Sequence, residues 1–494
     1  MIEHFRIAIV GSGFAGLGLA IQLKRSGRDD FVVLERGDDV GGTWRDNTYP
    51  GAACDVPSLL YSFSFAPNPG WSRSFSPQEE IQDYLRDCAD RFGVRPHIRF
   101  GNRVDEARWD DEAQLWRIRT SAGELTAQFL MGGMGGLSEP SVPDLPGLER
   151  FGGTTFHSAR WDHGYGLRGK RVAVVGTGAS SIQFVPEIQP LVERLDVYQR
   201  TPAWIVPRWD RDLTRVERAL YRRFPALQRL VRALIYWGRE FYAIPFMHHR
   251  KRFTSPPERV ARRHLRKQVP DPDLRAKLTP DYAAGCKRIL ISNDWYPALG
   301  KPNVDLVTAG IAEVTETGVV DRDGVERPVD AIIFGTGFHV TDFPHGRYIF
   351  GRDGRALTEH WREGAQAYLG MAAPGFPNFF FLTGPNTGLG HTSMVFMMEC
   401  QFAYLLDMLG VVEERGIATV EVRPDVVAAF NTRLHERMPQ TVWSSGGCAS
   451  WYLDEHGRNT TLWPDFTWKF RLRTRRFSPA DYDLGRRRVR VPAA

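Results

Sequence analysis

Residues 6–35 read RIAIVGSGFAGLGLAIQLKRSGRDDFVVLE: an apolar run, a glycine cluster, a helical pattern and a second apolar run. That order predicts strand, tight turn, helix and strand. Gly11 permits the turn, Gly13 lets the backbone approach a bound pyrophosphate, and Gly16 lets helix and strand lie close. Phe14 and Ala15 open the helix, whose free N–H groups and dipole favour phosphate. The pattern returns at residues 170–200, KRVAVVGTGASSIQFVPEIQPLVERLDVYQR, with Gly176, Thr177, Gly178, Ala179, Ser180 and Ser181 in the turn. Ser181 stands where a third small residue is usual. Two such units predict an α/β protein with two Rossmann-like dinucleotide-binding domains.

One residue at equal offset tells the two sites apart. Glu35 lies 24 residues after Gly11, and Arg200 lies 24 residues after Gly176. A carboxylate there accepts from ribose hydroxyls and repels a 2′-phosphate, whereas a guanidinium binds one. The first site therefore suits FAD and the second NADPH. The expected FAD domain covers 1–155 and 376–494, and the expected NADP domain 156–207 and 284–375. Between the parts of the latter, Val216, Leu220, Phe224, Leu227, Leu230, Val231, Leu234 and Trp237 recur at helical spacing. They predict an all-helical insertion over 208–283, which Pro225 kinks or splits.

The chain has 494 residues, above the roughly 250–300 at which one core stops growing, so several domains are expected. With 25% charged and 42% hydrophobic residues, it has the balance of a folded chain rather than a disordered one. No apolar run reaches the roughly 18 residues of a membrane span, and MIEHF leads straight into the first strand without a signal-peptide pattern. A soluble cytoplasmic protein is expected. Cys54, Cys88, Cys286, Cys400 and Cys448 lie far apart with no C-x-x-C pair, so neither disulfides, dithiol chemistry nor a metal site is expected. Residues 211–267 hold sixteen Lys and Arg, among them Arg222, Arg223 and Arg229, against four acids. The segment reads first as a solvated face, and otherwise as an attractor for an anionic ligand or as a membrane or nucleic-acid surface. From Arg471 onward the tail is basic and ends without periodicity, so its last residues are expected to be loosely held.

Further stretches give the chain a family likeness. FGGTTFHSARWD places Phe151, Gly153, His157, Trp161 and Asp162 in the register F-x-G-x-x-x-H-x-x-x-W-[PD]. GGTWRDNTYPGAACD places Gly41, Gly42, Trp44, Tyr49, Pro50, Gly51 and Asp55 in [AG]-G-x-W-x4-[FY]-P-[GM]-x3-D. GCKRILISNDWYP carries Lys287 and Arg288, and FGTGF is followed by GPNTGLGHTS. With both glycine motifs, these resemble the type I Baeyer–Villiger monooxygenases, a branch of the class B flavoprotein monooxygenases in the flavin-containing monooxygenase superfamily. Nitrogen- and sulfur-oxidising relatives usually end the linker in Tyr, so Trp161-Asp162 favours the ketone-oxidising branch.

The resemblance implies FAD and NADPH as cofactors and a small ketone and O2 as reactants, joined through a C4a-peroxyflavin to give an ester or lactone. It makes Arg288 the active-site arginine and Asp55 the carboxylate that orients it. Lys287 joins Arg200 and Thr201 around the 2′-phosphate, while Arg36, Thr43, Trp44, Tyr61 and Asn386 stand among the cofactor contacts. His157 couples the two nucleotide domains rather than transferring protons, and Trp451 belongs to a mobile C-terminal loop. Two rivals stand beside this reading: an S- or N-oxygenating relative, and a flavoprotein whose basic segment binds membrane or nucleic acid. No recognisable nucleic-acid module accompanies the basic residues.

Overall fold

The computed structural model describes residues 2–247 and 251–486. The strand Glu3–Val10 forms because Ile7, Ala8 and Ile9 are buried on both faces of a parallel sheet. Phe31–Leu34 pairs on one side of it and Gly123–Gly132 on the other. Antiparallel strands Leu115–Thr120 and Val104–Asp110 extend the sheet beyond Gly123–Gly132. Phe379–Phe381 returns from far along the chain to pair with the end of Gly123–Gly132. A second sheet is parallel throughout, in the order Val304–Val307, Arg194–Tyr198, Arg171–Val175, Ala331–Phe334, Thr154–His157.

Each sheet ends in its expected glycine turn, but the two turns solve the packing problem differently. Gly11 and Gly176 take positive φ, +93° and +102°. A Cβ on Gly16 would lie 1.9 Å from the Gly11 oxygen, so the first helix needs its small residue there. In the second unit Ser181 fills that place, fully buried, and the space comes from the facing strand end: a Cβ on Gly335 would lie 2.0 Å from Ser181 Oγ. The small residue has moved across the helix–strand contact.

The chain leaves the second sheet earlier than the expected boundary at 375. Ile349–Phe350 pairs with Ala107–Arg108 of the first sheet, and Phe343 and Trp361 pack into its core. Thr154–His157 in turn already belongs to the second sheet. Residues 208–283 hold the helices Arg215–Arg223, Pro225–Met247, Lys251–Gln268 and Pro272–Lys277. Pro225 starts a new helix, and Thr214 and Glu217 form a capping box on the one before it. The apolar pattern does not point uniformly inward: Leu230, Leu234 and Trp237 are exposed, while Gln228, Tyr236 and Glu240 are buried.

Two other expectations are corrected. Met394–Arg415 is long and apolar enough in composition to cross a membrane, but it packs on the helix Phe14–Arg25 inside the core. Cys286 and Cys448, 162 residues apart, form a disulfide. In the tail, Thr467–Arg473 is helical and Tyr482–Arg486 pairs with Ile417–Val422. The expectation of loosely held last residues falls on 487–494, which lie outside the described residues.

Gly335→Ala is expected to destabilise the protein by about 1–3 kcal/mol, the scale of overpacking a tight core, and adding Ser181→Ala should restore most of that loss. Denaturant unfolding of the single and double variants checks this, and additive losses would disprove the compensation.

Candidate active site

The first glycine turn is closed by a buried carboxylate. Glu35 Oε2 accepts from Ser12 N at 2.8 Å and Ser12 Oγ at 2.7 Å; Oε1 accepts from Gly37 N at 2.8 Å and Arg45 Nη1 at 2.7 Å. Burial opposes its charge, but Arg45, Gly37 and Ser12 outweigh this and hold the carboxyl below its usual value. Arg36 instead pairs with Glu139 and reaches the Ser138 carbonyl. Gly13 lies against Gly42, whose positive φ starts the short helix Thr43–Asp46, and Trp44 Nε1 donates to Tyr61 Oη at 3.0 Å. A cradle that Cβ atoms would fill, with helix N–H groups at its base, fits a dinucleotide. Asn386, at positive φ, donates to the Asn459 and Leu462 carbonyls, and its Oδ1 is buried without a partner among the described residues.

The second turn leads to two neighbouring cations. Arg200 is exposed and makes no hydrogen bond or ion pair with a described residue, and Thr201 follows it. Burial and then the Arg200 charge lower the Lys287 pKa, against a smaller contribution from Asp281. Neither cation has an ion-pair partner among the described residues, Lys287 lying over the Tyr282 ring, and the two together fit an anionic group.

The stretch that begins at Gly41 clamps one lobe to the other. Tyr49 Oη donates to Gln183 Oε1 at 2.9 Å, Gln183 Nε2 donates to the Ala53 carbonyl at 3.0 Å, and Gly51 has no room for a Cβ against the Gln183 carbonyl. In the linker, Gly153 is pressed between the Asp330 carbonyl and the Phe151 ring. Trp161 packs on Phe156 and Phe184, and Asp162 Oδ1 accepts from Gly164 N. His157 is buried; its Nδ1 accepts from Ala159 N at 3.0 Å, and its Nε2 has no partner among the described residues.

The same clamp delivers Asp55 to a cavity of about 620 Å³, where it meets Arg288. Arg288 Nε donates to Asp55 Oδ2 and Nη2 to Oδ1, each at 2.7 Å, a two-pronged pair between residues 233 positions apart. The Asp55 charge raises the Arg288 pKa against the pull of burial. Burial raises Asp55, but Arg288 by charge and hydrogen bond, and Arg239 by charge, hold it below the ordinary carboxylate value. Trp451 is exposed on Tyr452, whose ring lines the cavity and whose Oη is buried without a partner among the described residues. Arg45, Arg239, Tyr452 and the Cys286–Cys448 bond escaped sequence reasoning. The one available signal was the position of Cys286 and Cys448 beside CKR and CASWYLD.

Two sheets with glycine turns, one mixed and one parallel throughout, a pair of neighbouring cations and a charged cavity define an oxidoreductase built on two dinucleotides. Residues 4–346 match the flavin-binding monooxygenase-like family, and the chain belongs to that family. It is 54% identical over 483 residues to a Baeyer–Villiger monooxygenase of Streptomyces coelicolor, covering 98% of this chain and 93% of that protein. It is 51% identical over 485 residues to one of Pseudomonas aeruginosa, covering 98% and 92%. The structure superimposes on the closed crystal structure of cyclohexanone monooxygenase with a TM-score of 0.88 at 28% identity, over 99% of this chain and 100% of that one. It superimposes on oxidised steroid monooxygenase bound to NADP with a TM-score of 0.86 at 32% identity, over 98% and 100%.

Burial holds the His157 pKa at about 4, against an ordinary value of 6.5. As pH falls through this interval the unfolded chain takes the proton first. Stability is therefore fully present above pH 6.5 and is lost toward pH 4, on the order of 3 kcal/mol in all. His345, also held at about 4 by burial, stays in both proteins when wild type is compared with His157→Asn. The variant should show a shallower loss of stability between pH 7 and pH 4.5 in urea melts, and an unchanged slope would contradict the assignment.

Proposed function

We propose that this chain oxidises a ketone to an ester or lactone with FAD, NADPH and O2, and that the Asp55–Arg288 pair is the electrostatic centre of its site. The observation that carries this is the two-pronged pair itself, set at a cavity where the two nucleotide-binding lobes meet. When bound, NADPH supplies two electrons to FAD and the reduced flavin activates O2, so one oxygen atom enters the bond beside the carbonyl and the other leaves as water.

The Gly11–Gly16 turn and the start of its helix hold the FAD phosphates, with Thr43, Trp44 and Tyr61 beside them. Glu35 takes the ribose, which shares or displaces the Arg45 donor because both carboxylate oxygens already accept two bonds. The Gly176–Ser181 turn holds the NADPH pyrophosphate, and Arg200, Thr201 and Lys287 surround the 2′-phosphate. Arg288 faces the negative charge that develops on oxygen during the reaction, and Asp55 fixes the guanidinium plane. Its permanent charge and fixed fork suit this better than an ammonium. Phe151, Gly153, His157, Trp161 and Asp162 form the link through which the NADPH lobe is positioned. With its ring pKa at about 4, His157 is neutral at physiological pH and serves as a packing and hydrogen-bonding element. Asn386 braces the loop around Asn459, and Trp451 with Tyr452 covers the cavity. The Trp161-Asp162 ending supports ketone rather than heteroatom oxidation.

Arg288→Ala should keep both cofactors and lose ester formation by at least ~100-fold, the size of one electrostatic stabiliser, with little recovery in Arg288→Lys. Product analysis with a ketone and sulfide panel measures this, and near wild-type ketone turnover in the alanine variant would refute the role. Arg200→Ala should weaken NADPH by about 1.5–3 kcal/mol and leave NADH nearly unaffected. Equal losses for both would remove the 2′-phosphate assignment.

A further inference from the structure

Among the described residues, the cavity carries one more cation than the reaction and cofactors use. Apart from the phenols of Tyr242 and Tyr452, its ionisable described lining is Asp55, Arg239, Lys287, Arg288 and His391. Asp55 neutralises Arg288 through two hydrogen bonds, Lys287 sits against Arg200 at the 2′-phosphate position, and His391 Nε2 lies 3.3 Å from Glu240. That leaves Arg239, on the helix Pro225–Met247. It makes no hydrogen bond or ion pair with any described residue. Its neighbour Glu240 offers no relief, since that carboxylate is buried on another face of the helix and accepts from Thr467 N and Oγ1. A guanidinium has five donors, and leaving it half-buried without an acceptor is costly unless a bound anion supplies one. Around it the wall is apolar, from Ile235, Tyr242 and Phe246 to Trp443.

We propose that Arg239 receives a carboxylate of the substrate, and that the enzyme is selective for oxo-carboxylic acids. The substrate's carbonyl lies toward Arg288, its carboxylate on the fork of Arg239, and the carbons between them on the apolar wall. The inference rests on the reading of Arg288 given above.

The test assays holoenzyme with an oxo acid and its methyl ester as a matched pair. Wild type should prefer the acid by about 30-fold in kcat/KM, through KM, the scale of one charge-assisted contact. Arg239→Ala should reduce that ratio to within about threefold of unity, and Arg239→Lys should keep part of it. A simple carboxylate of the same length without the ketone, titrated against oxidised enzyme and followed by flavin absorbance, should bind wild type at least ~10-fold tighter than Arg239→Ala. No acid preference in wild type, equal losses for acid and ester in the variant, or a selective rise in KM for NADPH would each overturn the proposal. The last result would assign Arg239 to a cofactor phosphate. If wild type oxidises neither ketone while the simple carboxylate still binds through Arg239, the oxidation reading fails and the carboxylate site stands.

Discussion

The ion pair between Asp55 and Arg288 is the constraint around which the molecule is arranged. Asp55 comes from a stretch that leaves the first glycine turn, and Arg288 from the segment that follows the helical insertion, 233 residues later. Two charges brought into a cavity lose much of their hydration, and only good geometry returns it. Both hydrogen bonds are 2.7 Å, and that precision is set by neighbours. Tyr49 and Gln183 fix the approach of one partner. The short parallel pair of Ile205–Val206 with Leu290–Ile291 fixes that of the other. A shift of either lobe would expose or orphan a charge, so the pair selects one relative placement of the two sheets.

Much of this was legible because nucleotide-binding turns leave local marks. Gly11, Gly13 and Gly16 have their consequences within a dozen residues, whereas the contrast between Glu35 and Arg200 is read from an offset alone and belongs to the proposal. Features created by distant meetings left no such mark. Cys286 and Cys448 lack any spacing signature, and only the fold brings them together. Gly335 looked like one more strand-ending glycine, yet it compensates for Ser181 across a contact that no periodicity encodes. Arg45 on Glu35 is a competition between donors that a motif cannot display. The return of Ile349–Phe350 to the first sheet rests on two residues of pairing, too short for a pattern.

The basic segment shows why a charge count is a poor guide to role. Arg211 pairs with Glu217 at the surface and belongs to the solvated face that the composition suggested. Arg232 is drawn inward, where Nη1 donates to the Leu59 carbonyl at 2.6 Å and braces the insertion on the first lobe. Arg239, two helical turns further on, is half-buried and has no acceptor among the described residues. Identical side chains in one basic segment thus serve as solvated surface, brace and cavity lining, and burial and available acceptors decide which.

The Cys286–Cys448 bond has a mechanical consequence. It joins the segment immediately before Lys287-Arg288 to the segment immediately before Trp451-Tyr452, with Cα atoms 6.1 Å apart. A swing of one lobe against the other can stretch hydrogen bonds and slide side chains, but it cannot separate these two points. The bond therefore acts as a pivot. Motion near it is rotation through small arcs, and larger displacements grow with distance toward the outer strands of the second sheet. The cavity wall at Tyr452 and the Arg288 guanidinium turn together, as the hub of a wheel.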